Sequence, residues 1–327
     1  MKKTILVVLA LLVAMVPAAF AGGQGEAEGG GEAAPEDITI AVVPKSLDNP
    51  VFLDTKQGAE DTGEELGVTV NWTGPVKADA AEQVQVLEGL IQQGVDGILV
   101  SANDPTALND VIAKAVEEGI VVATFDSDAP ESERLFYAGS NNYELGVKSA
   151  ELMLEITEDA EAPVETAILT GVLGAHNLEE RIRGFEDTVE GTKIEVVSIQ
   201  AGEDDINKSV QVIEDYTRAN PDLDAWWFDG GWPFFAPPET LVEIGKFRDR
   251  GGYLISVDSF WPMLDFLDSG MADYLVGQDF YQMGVTGVEN LVAAIQGDEP
   301  ESESIDTGME VVSPENVDEV RETKTPW

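Results

Sequence analysis

The chain has 327 residues, 43% of them hydrophobic, with 18 basic against 63 acidic residues and a net charge of −45. That balance excludes a nucleic-acid binder, which needs cationic surface for phosphate contacts, and disfavours anionic membrane surfaces. The absence of cysteine excludes disulfides, Cys-based metal sites, a Cys nucleophile and lipoprotein processing.

In chain order, Lys2 and Lys3 precede an apolar stretch from Ile5 to Val16, and Ala19-Phe20-Ala21 has the small-x-small form of a cleavage site. The pattern predicts a signal peptide over residues 1–21, and hence a periplasmic or extracellular chain. The stretch is short for a membrane span, and no second run reaches that length, so no membrane insertion of the mature chain is expected. Loss of Lys2 and Lys3 leaves 16 basic residues against 63 acidic, a net of −47. These acids are spread along the chain, which predicts a hydrated, halophilic acidic surface. Residues 22–36 (GGQGEAEGGGEAAPE) hold no large apolar residue and are expected to form a flexible acidic tether. The remaining length favours two domains.

From Ile38 the chain alternates strand and helix signals. Expected strands are Ile38–Val43, Val68–Trp72, Gly97–Ser101 and Ile120–Phe125, with helices over Phe52–Leu66, Ala80–Gln93 and Pro105–Glu118. Gly67, Gly94 and Gly119 stand where helices stop. The pattern then restarts. Strands are expected at Ala167–Thr170, Ile194–Ile199, Ala225–Phe228, Tyr253–Val257 and Tyr274–Val276, with helices near Leu178–Val189, Asp205–Ala219, Pro238–Arg250 and Trp261–Ser269. A helix Tyr281–Gln296 and an extended piece Gly308–Val312 follow. Regular βαβ spacing predicts parallel sheets covered on both faces. Two lobes with a cleft between them fit this length better than one large sheet.

In open α/β sheets ligands sit outside the carboxyl ends of the strands. The first strand runs into Lys45-Ser46-Leu47-Asp48-Asn49-Pro50-Val51-Phe52, offering Lys45, Asn49 and an aromatic, Phe52. The strand ending at Phe125 runs into Asp126, and the one ending at Val257 into Asp258. Two carboxylates at equivalent strand ends suit the vicinal hydroxyls of a small polyol. The competing reading makes Asp126 a helix or turn cap. Trp226 or Phe228, inside a strand, reads as core. Trp232 and Trp261 lie past strand ends, where either core packing or stacking on a sugar face would account for them. No phosphate loop, dinucleotide glycine fingerprint or nucleophile elbow is present. His176 is the single histidine and reads as a loop residue beside a binding site. No spacing singles out a pair of carboxylates for glycoside hydrolysis.

The chain resembles the exported sugar-binding proteins of ABC importers, in the class that includes ribose-binding proteins. The resemblance rests on Ser46 to Phe52, Gly94-Val95-Asp96-Gly97-Ile98, Thr124-Phe125-Asp126-Ser127-Asp128, Glu180-Arg181-Ile182-Arg183-Gly184-Phe185 and Val257-Asp258. Val43-Pro44-Lys45, Gly74-Pro75, Gln83-Val84-Gln85 and Val100-Ser101-Ala102-Asn103-Asp104 are similar to the rhamnose- and autoinducer-2-binding branch. The resemblance implies an α/β fold of two Rossmann-like, doubly wound lobes joined by a three-crossover hinge, the periplasmic binding protein type I design. The lobes would be 37–140 plus 279–308 and 141–278 plus 309–327, crossing near Ser140–Asn142, Gln278–Phe280 and Gly308–Val311. It implies Lys45, Asn49, Phe52, Asp126, Asp258 and Gln278 as ligand contacts, and it puts Asn177 and Leu178 where that branch carries a polar pair. With Trp232 from the aromatic reading, Lys45, Asn49, Phe52, Asp126, Asn177, Trp232, Asp258 and Gln278 form the expected ligand set. Val51, Ser127 and Glu179 replace an aromatic and two arginines of the ribose-like pattern, so the ligand is not read as ribose itself.

The expected function is non-enzymatic: capture of a monosaccharide or related small polyol by a monomer, and delivery to an ABC transporter permease, with no cofactor and no metal. A binder of a signalling molecule of the autoinducer-2 kind, feeding an importer or receptor, is the alternative. A secreted sugar-active enzyme is the third reading.

Overall fold

Apolar β-branched runs that alternate with Gly-terminated helices build two sheets in the computed structural model, which describes residues 38–324. The expected signal peptide and tether lie outside the described residues. The first sheet takes β1 (Thr39–Val43), β2 (Thr69–Trp72), β3 (Gly97–Val100), β4 (Val121–Phe125), β5 (Tyr137–Gly139) and β11 (Ser304–Asp306), in the order β11-β5-β4-β3-β1-β2. All its pairings are parallel. The second takes β6 (Val164–Thr170), β7 (Ile194–Ala201), β8 (Ala225–Phe228), β9 (Tyr253–Val257), β10 (Tyr274–Gln278) and β12 (Met309–Val312), in the order β12-β10-β9-β8-β6-β7. Only its edge pair β10–β12 is antiparallel.

Strand residues feed opposite faces in turn, as their period of two requires. Ile40 and Val42 enter one apolar cluster, Ala41 and Val43 another. Trp226 and Phe228 likewise separate from Trp227, and all three are fully buried. The helices that matter for the site are α1 (Phe52–Leu66) and α9 (Phe280–Ile295) on the first sheet, and α4 (Asn142–Ile156) and α5 (His176–Val189) on the second. Each pair meets through reciprocal glycines. A Cβ on Gly58 would lie 2.2 Å from Tyr281 O, and one on Gly284 2.2 Å from Thr55 O. A Cβ on Gly146 would lie 2.0 Å from Arg181 O, and one on Gly184 2.1 Å from Tyr143 O. Gly146→Ala is therefore expected to cost about 1–3 kcal/mol, because backbone cannot yield as a flexible side chain would. A urea midpoint equal to that of the parent would contradict this.

The chain passes between the sheets after β5, after β10 and between β11 and β12. Ser140 Oγ donates to Gly308 O at 2.7 Å, tying the first passage to the third.

Several elements differ from expectation. The helix expected from Pro105 starts at Asn109, because Asp104 Oδ1 accepts from Thr106 N and Ala107 N and holds an Asx turn there. The helix expected over Pro238–Arg250 is a 3₁₀ turn, Pro238–Thr240, followed by α7 (Val242–Asp249), the break falling at Leu241. β5, α4, β11 and α10 (Val317–Thr323) were not anticipated. The strand expected over Tyr274–Val276 continues to Gln278.

Candidate functional site

The carboxyl ends of both sheets meet in a buried polar network. On the first sheet, Lys45 lies two residues beyond β1, Ser101 follows β3 and Asp126 follows β4, each under 4% exposed. On the second, Asp229 follows β8, Asp258 follows β9 and Gln278 ends β10, all buried. Asp126 and Asp258 occupy matching places and share a left-handed backbone, with φ of 54° and 75°. A non-glycine residue is strained there, and such strain concentrates at functional sites.

Helix α5 supplies the links. Asn177, in its first turn, accepts from Lys45 Nζ at 2.8 Å and donates to Asp126 Oδ1 at 3.1 Å. Arg181 is one turn further along the same face. Its Nε donates to Asn142 Oδ1 at 2.8 Å, Nη1 to Asp229 O at 2.9 Å and Nη2 to Gln278 Oε1 at 3.0 Å. The guanidinium also lies 3.9 Å from both Asp126 Oδ1 and Asp229 Oδ1. The glycine contact between α4 and α5 fixes that position, since Asn142 begins the opposing helix. Ser101 Oγ donates to Asp126 Oδ2 at 2.7 Å. Asp258 accepts from Gln278 Nε2 at 2.9 Å and from Gly231 N at 3.1 Å.

Four buried carboxylates, Asp126, Asp204, Asp229 and Asp258, thus share two buried cations, Lys45 and Arg181. Burial pushes the Asp258 carboxyl above the usual carboxylate range, against the pull of Arg181. Burial pushes Asp229 well above it, again opposed by Arg181. Burial also raises Asp204, with Lys45 opposing. A cluster short of cations has acceptor capacity to spare for hydroxyl donors, and Lys45, Asn177 and Arg181 supply donors beside it.

Aromatic rings pack on one another within the larger apolar core. Phe52 meets Phe125 and Phe280 edge-on, with centroids 6.0 Å apart in each case. Phe280 meets Phe260 of the other sheet at 5.3 Å, and Phe260 meets Phe235 at 5.6 Å. Trp232, 5% exposed, stands over two glycines, because a Cβ on Gly230 would lie 2.6 Å from its ring and one on Gly171 2.8 Å.

Of the expected residues, Lys45, Asp126, Asn177, Asp258 and Gln278 are joined in one network. Phe52 and Trp232 are packed in the apolar core and carry no link to that network. Asn49 is buried, but its Oδ1 accepts from Val51 N at 3.3 Å, which serves the turn into α1. Trp261 is drawn off to the flank of α8 (Trp261–Asp268), where Arg321 lies 5.2 Å from its ring centroid. His176 is not a loop residue: it is the first residue of α5. The carboxylate oxygens of Asp126 accept from the side chains of Ser101 and Asn177, whereas neighbouring Asp128 pairs with Arg134 and accepts from Ala129 N at 2.7 Å. Sequence reasoning missed Arg181, Asp204 and Asp229. Asp229 carried the same signal as Asp258, an acid directly after an apolar strand, and Arg181 stood four residues after Asn177.

A family model described as a periplasmic binding protein domain matches residues 40–299. The ribose import binding protein of Bacillus subtilis (strain 168) is 28% identical over 246 residues, 75% of this chain and 79% of its own length. The D-ribose/D-allose-binding protein of Pseudomonas aeruginosa is 25% identical over 299 residues, 85% of this chain and 90% of its own. Among solved structures, an ABC transporter solute-binding protein from Burkholderia graminis C4D1M, in complex with D-arabinose, aligns with a TM-score of 0.80 at 35% identity, covering 86% of this chain and 97% of that one. A glucose-galactose binding protein from Geobacillus stearothermophilus aligns at 0.78 and 26% identity, over 85% and 98%.

Proposed function

This chain belongs to the periplasmic binding protein domain family, and from that premise we propose that it captures a monosaccharide or related small polyol between its two sheets and delivers it to the permease of an ABC transporter. It is a binding protein, not an enzyme. The observation that carries the reading is Asn177, which joins Lys45 and Asp126 of the first sheet from a helix of the second. Ligand groups placed among these side chains touch both lobes at once. A ligand favours closure only through such differential contacts.

Thermal melting against pentoses, hexoses and deoxyhexoses tests this. A cognate sugar at 100 times its dissociation constant is expected to add about 2.7 kcal/mol of stability. A flat response to the whole panel, with steady turnover of a glycoside, would sink the reading.

We also take the mature chain to be a monomer, exported by a cleaved signal peptide and adapted to high salt. With a net charge of −47 once Lys2 and Lys3 are lost, self-repulsion loosens the fold in dilute buffer. The melting temperature is expected to rise steeply from low to molar salt, as the screening length falls to about 3 Å. An unchanged value across that range contradicts the high-salt reading.

A further inference from the structure

Asp204 has a place in the cleft that none of the contacts described so far explains. It stands three residues beyond β7, in an acidic run Glu203-Asp204-Asp205. Its side chain is 3% exposed, and its Oδ1 has no hydrogen-bond partner among the described residues. The Val172 backbone amide favours the charged form, and Lys45 does so more strongly, yet burial outweighs both. Glu203 and Asp204 both adopt left-handed backbone, with φ of 56° and 53°. A buried carboxylate oxygen left unpaired is costly, so such a group calls for a donor.

The surroundings say what kind. Asp204 lines a cavity of about 440 Å³ between the lobes, shared with Asp48 and Lys77 of the first and Val172 and Lys208 of the second, while Lys45 and Trp232 stand next to Asp204 outside that lining. A Cβ on Gly171 would lie 1.8 Å from Asp204 Oδ1 and 2.8 Å from Trp232, so the carboxylate and the indole flank one bare stretch of backbone. Asp204 Oδ2 lies 4.0 Å from Lys45 Nζ. That gap is too long for a direct hydrogen bond. An oxygen roughly 2.8 Å from each atom bridges it with an angle near 90°. A hydroxyl is both acceptor and donor, and so answers the ammonium and the carboxylate together.

We propose that Asp204 is a further ligand-recognising residue, which with Lys45 grips one hydroxyl of the bound sugar beside Trp232 and so sets which sugars fit. The inference rests on the sugar-binding reading above and adds a specificity determinant to it. Asp126 and Asp258 are held by Ser101, Asn177, Gln278 and Gly231, whereas Asp204 keeps a free acceptor for the ligand.

The test is a titration series on the exported chain with D-arabinose, D-ribose, D-allose, D-glucose and D-galactose, then the monodeoxy forms of the tightest binder. In the parent, loss of one particular hydroxyl is expected to weaken binding about 10-fold or more, the scale of a hydrogen bond to a charged group. In Asp204→Gly, which suits the left-handed backbone, that one penalty should fall below about 3-fold while the penalties for the other hydroxyls persist. Asp204→Asn, retaining an acceptor, should lie between the two. Circular dichroism verifies that each variant is folded. Deoxy penalties unchanged in both variants, or all sugars weakened alike, overturn the proposal and leave the sugar-binding reading intact. A parent that binds no member of the wider pentose, hexose and deoxyhexose panel overturns both.

Discussion

Replacing Arg181 with leucine is expected to destabilise the protein by about 3–5 kcal/mol and to abolish tight sugar binding. Its guanidinium is 3% exposed at the side chain and donates to Asn142, Asp229 and Gln278. Leucine fills much of the space but strips those acceptors and leaves Asp126, Asp229 and Asp258 without their shared cation. Removing one partner of a buried charged set costs this much because the remaining charges stay desolvated. The deficit should depend on pH with a definite sign. Asp229 and Asp258 already stand above the unfolded carboxylate value with Arg181 opposing the rise, so its loss lifts them further. A carboxyl raised in the folded state contributes stability that is fully present below the unfolded pKa and is lost as pH rises through the folded one. The variant should therefore fall furthest behind the parent near neutral pH and close the gap toward pH 4. Arg181→Lys keeps the charge but not the three-way fork, and should fall between them. An equal deficit at pH 7 and pH 4 would refute the electrostatic account, and normal affinity in the leucine variant would remove Arg181 from the site.

Strand ends were the readable part of this sequence. Apolar runs such as Val121–Phe125 and Leu254–Val257 stop abruptly at an acid, and Gly67 and Gly94 close their helices in left-handed conformation. Those local signals locate Asp126 and Asp258 without knowledge of the packing. The helix α4 was hidden for the opposite reason. Its inward face is defined by Gly146 meeting the backbone of Arg181, a contact 35 positions away. Short edge strands such as β11, Ser-Ile-Asp, carry no period long enough to see. Arg181 was hidden among Glu179, Glu180 and Arg183, since nothing local says which charge on a helix turns inward. Asp204 was harder still, one acid in a run of three, on a chain with 63. In both cases the missing information is which side chain the tertiary structure desolvates, and it comes from pairing elements distant in sequence.

Asp126→Asn is expected to weaken sugar binding by about 10- to 150-fold while leaving the fold intact. Hydrogen bonds to charged groups contribute roughly 1.5–3 kcal/mol net, and each 1.4 kcal/mol is tenfold in affinity. Asparagine is the informative change because it tolerates the φ of 54° that Asp126 adopts, whereas alanine would add backbone strain to any loss of contact. The substitution also touches closure. Asp126 Oδ1 accepts from Asn177 across the cleft, and an amide group facing that donor cannot accept on both of its atoms. Ser101 can turn its hydroxyl to accept instead, so the cost on the first sheet is small. The loss should therefore appear in ligand affinity far more than in the melting temperature of the free protein. A residue that merely shaped the turn after β4 would behave in reverse, with lowered stability and near-normal affinity. Titration and thermal melting of this one variant separate the two roles, because only a ligand-gripping carboxylate lets affinity fall by an order of magnitude at nearly constant stability.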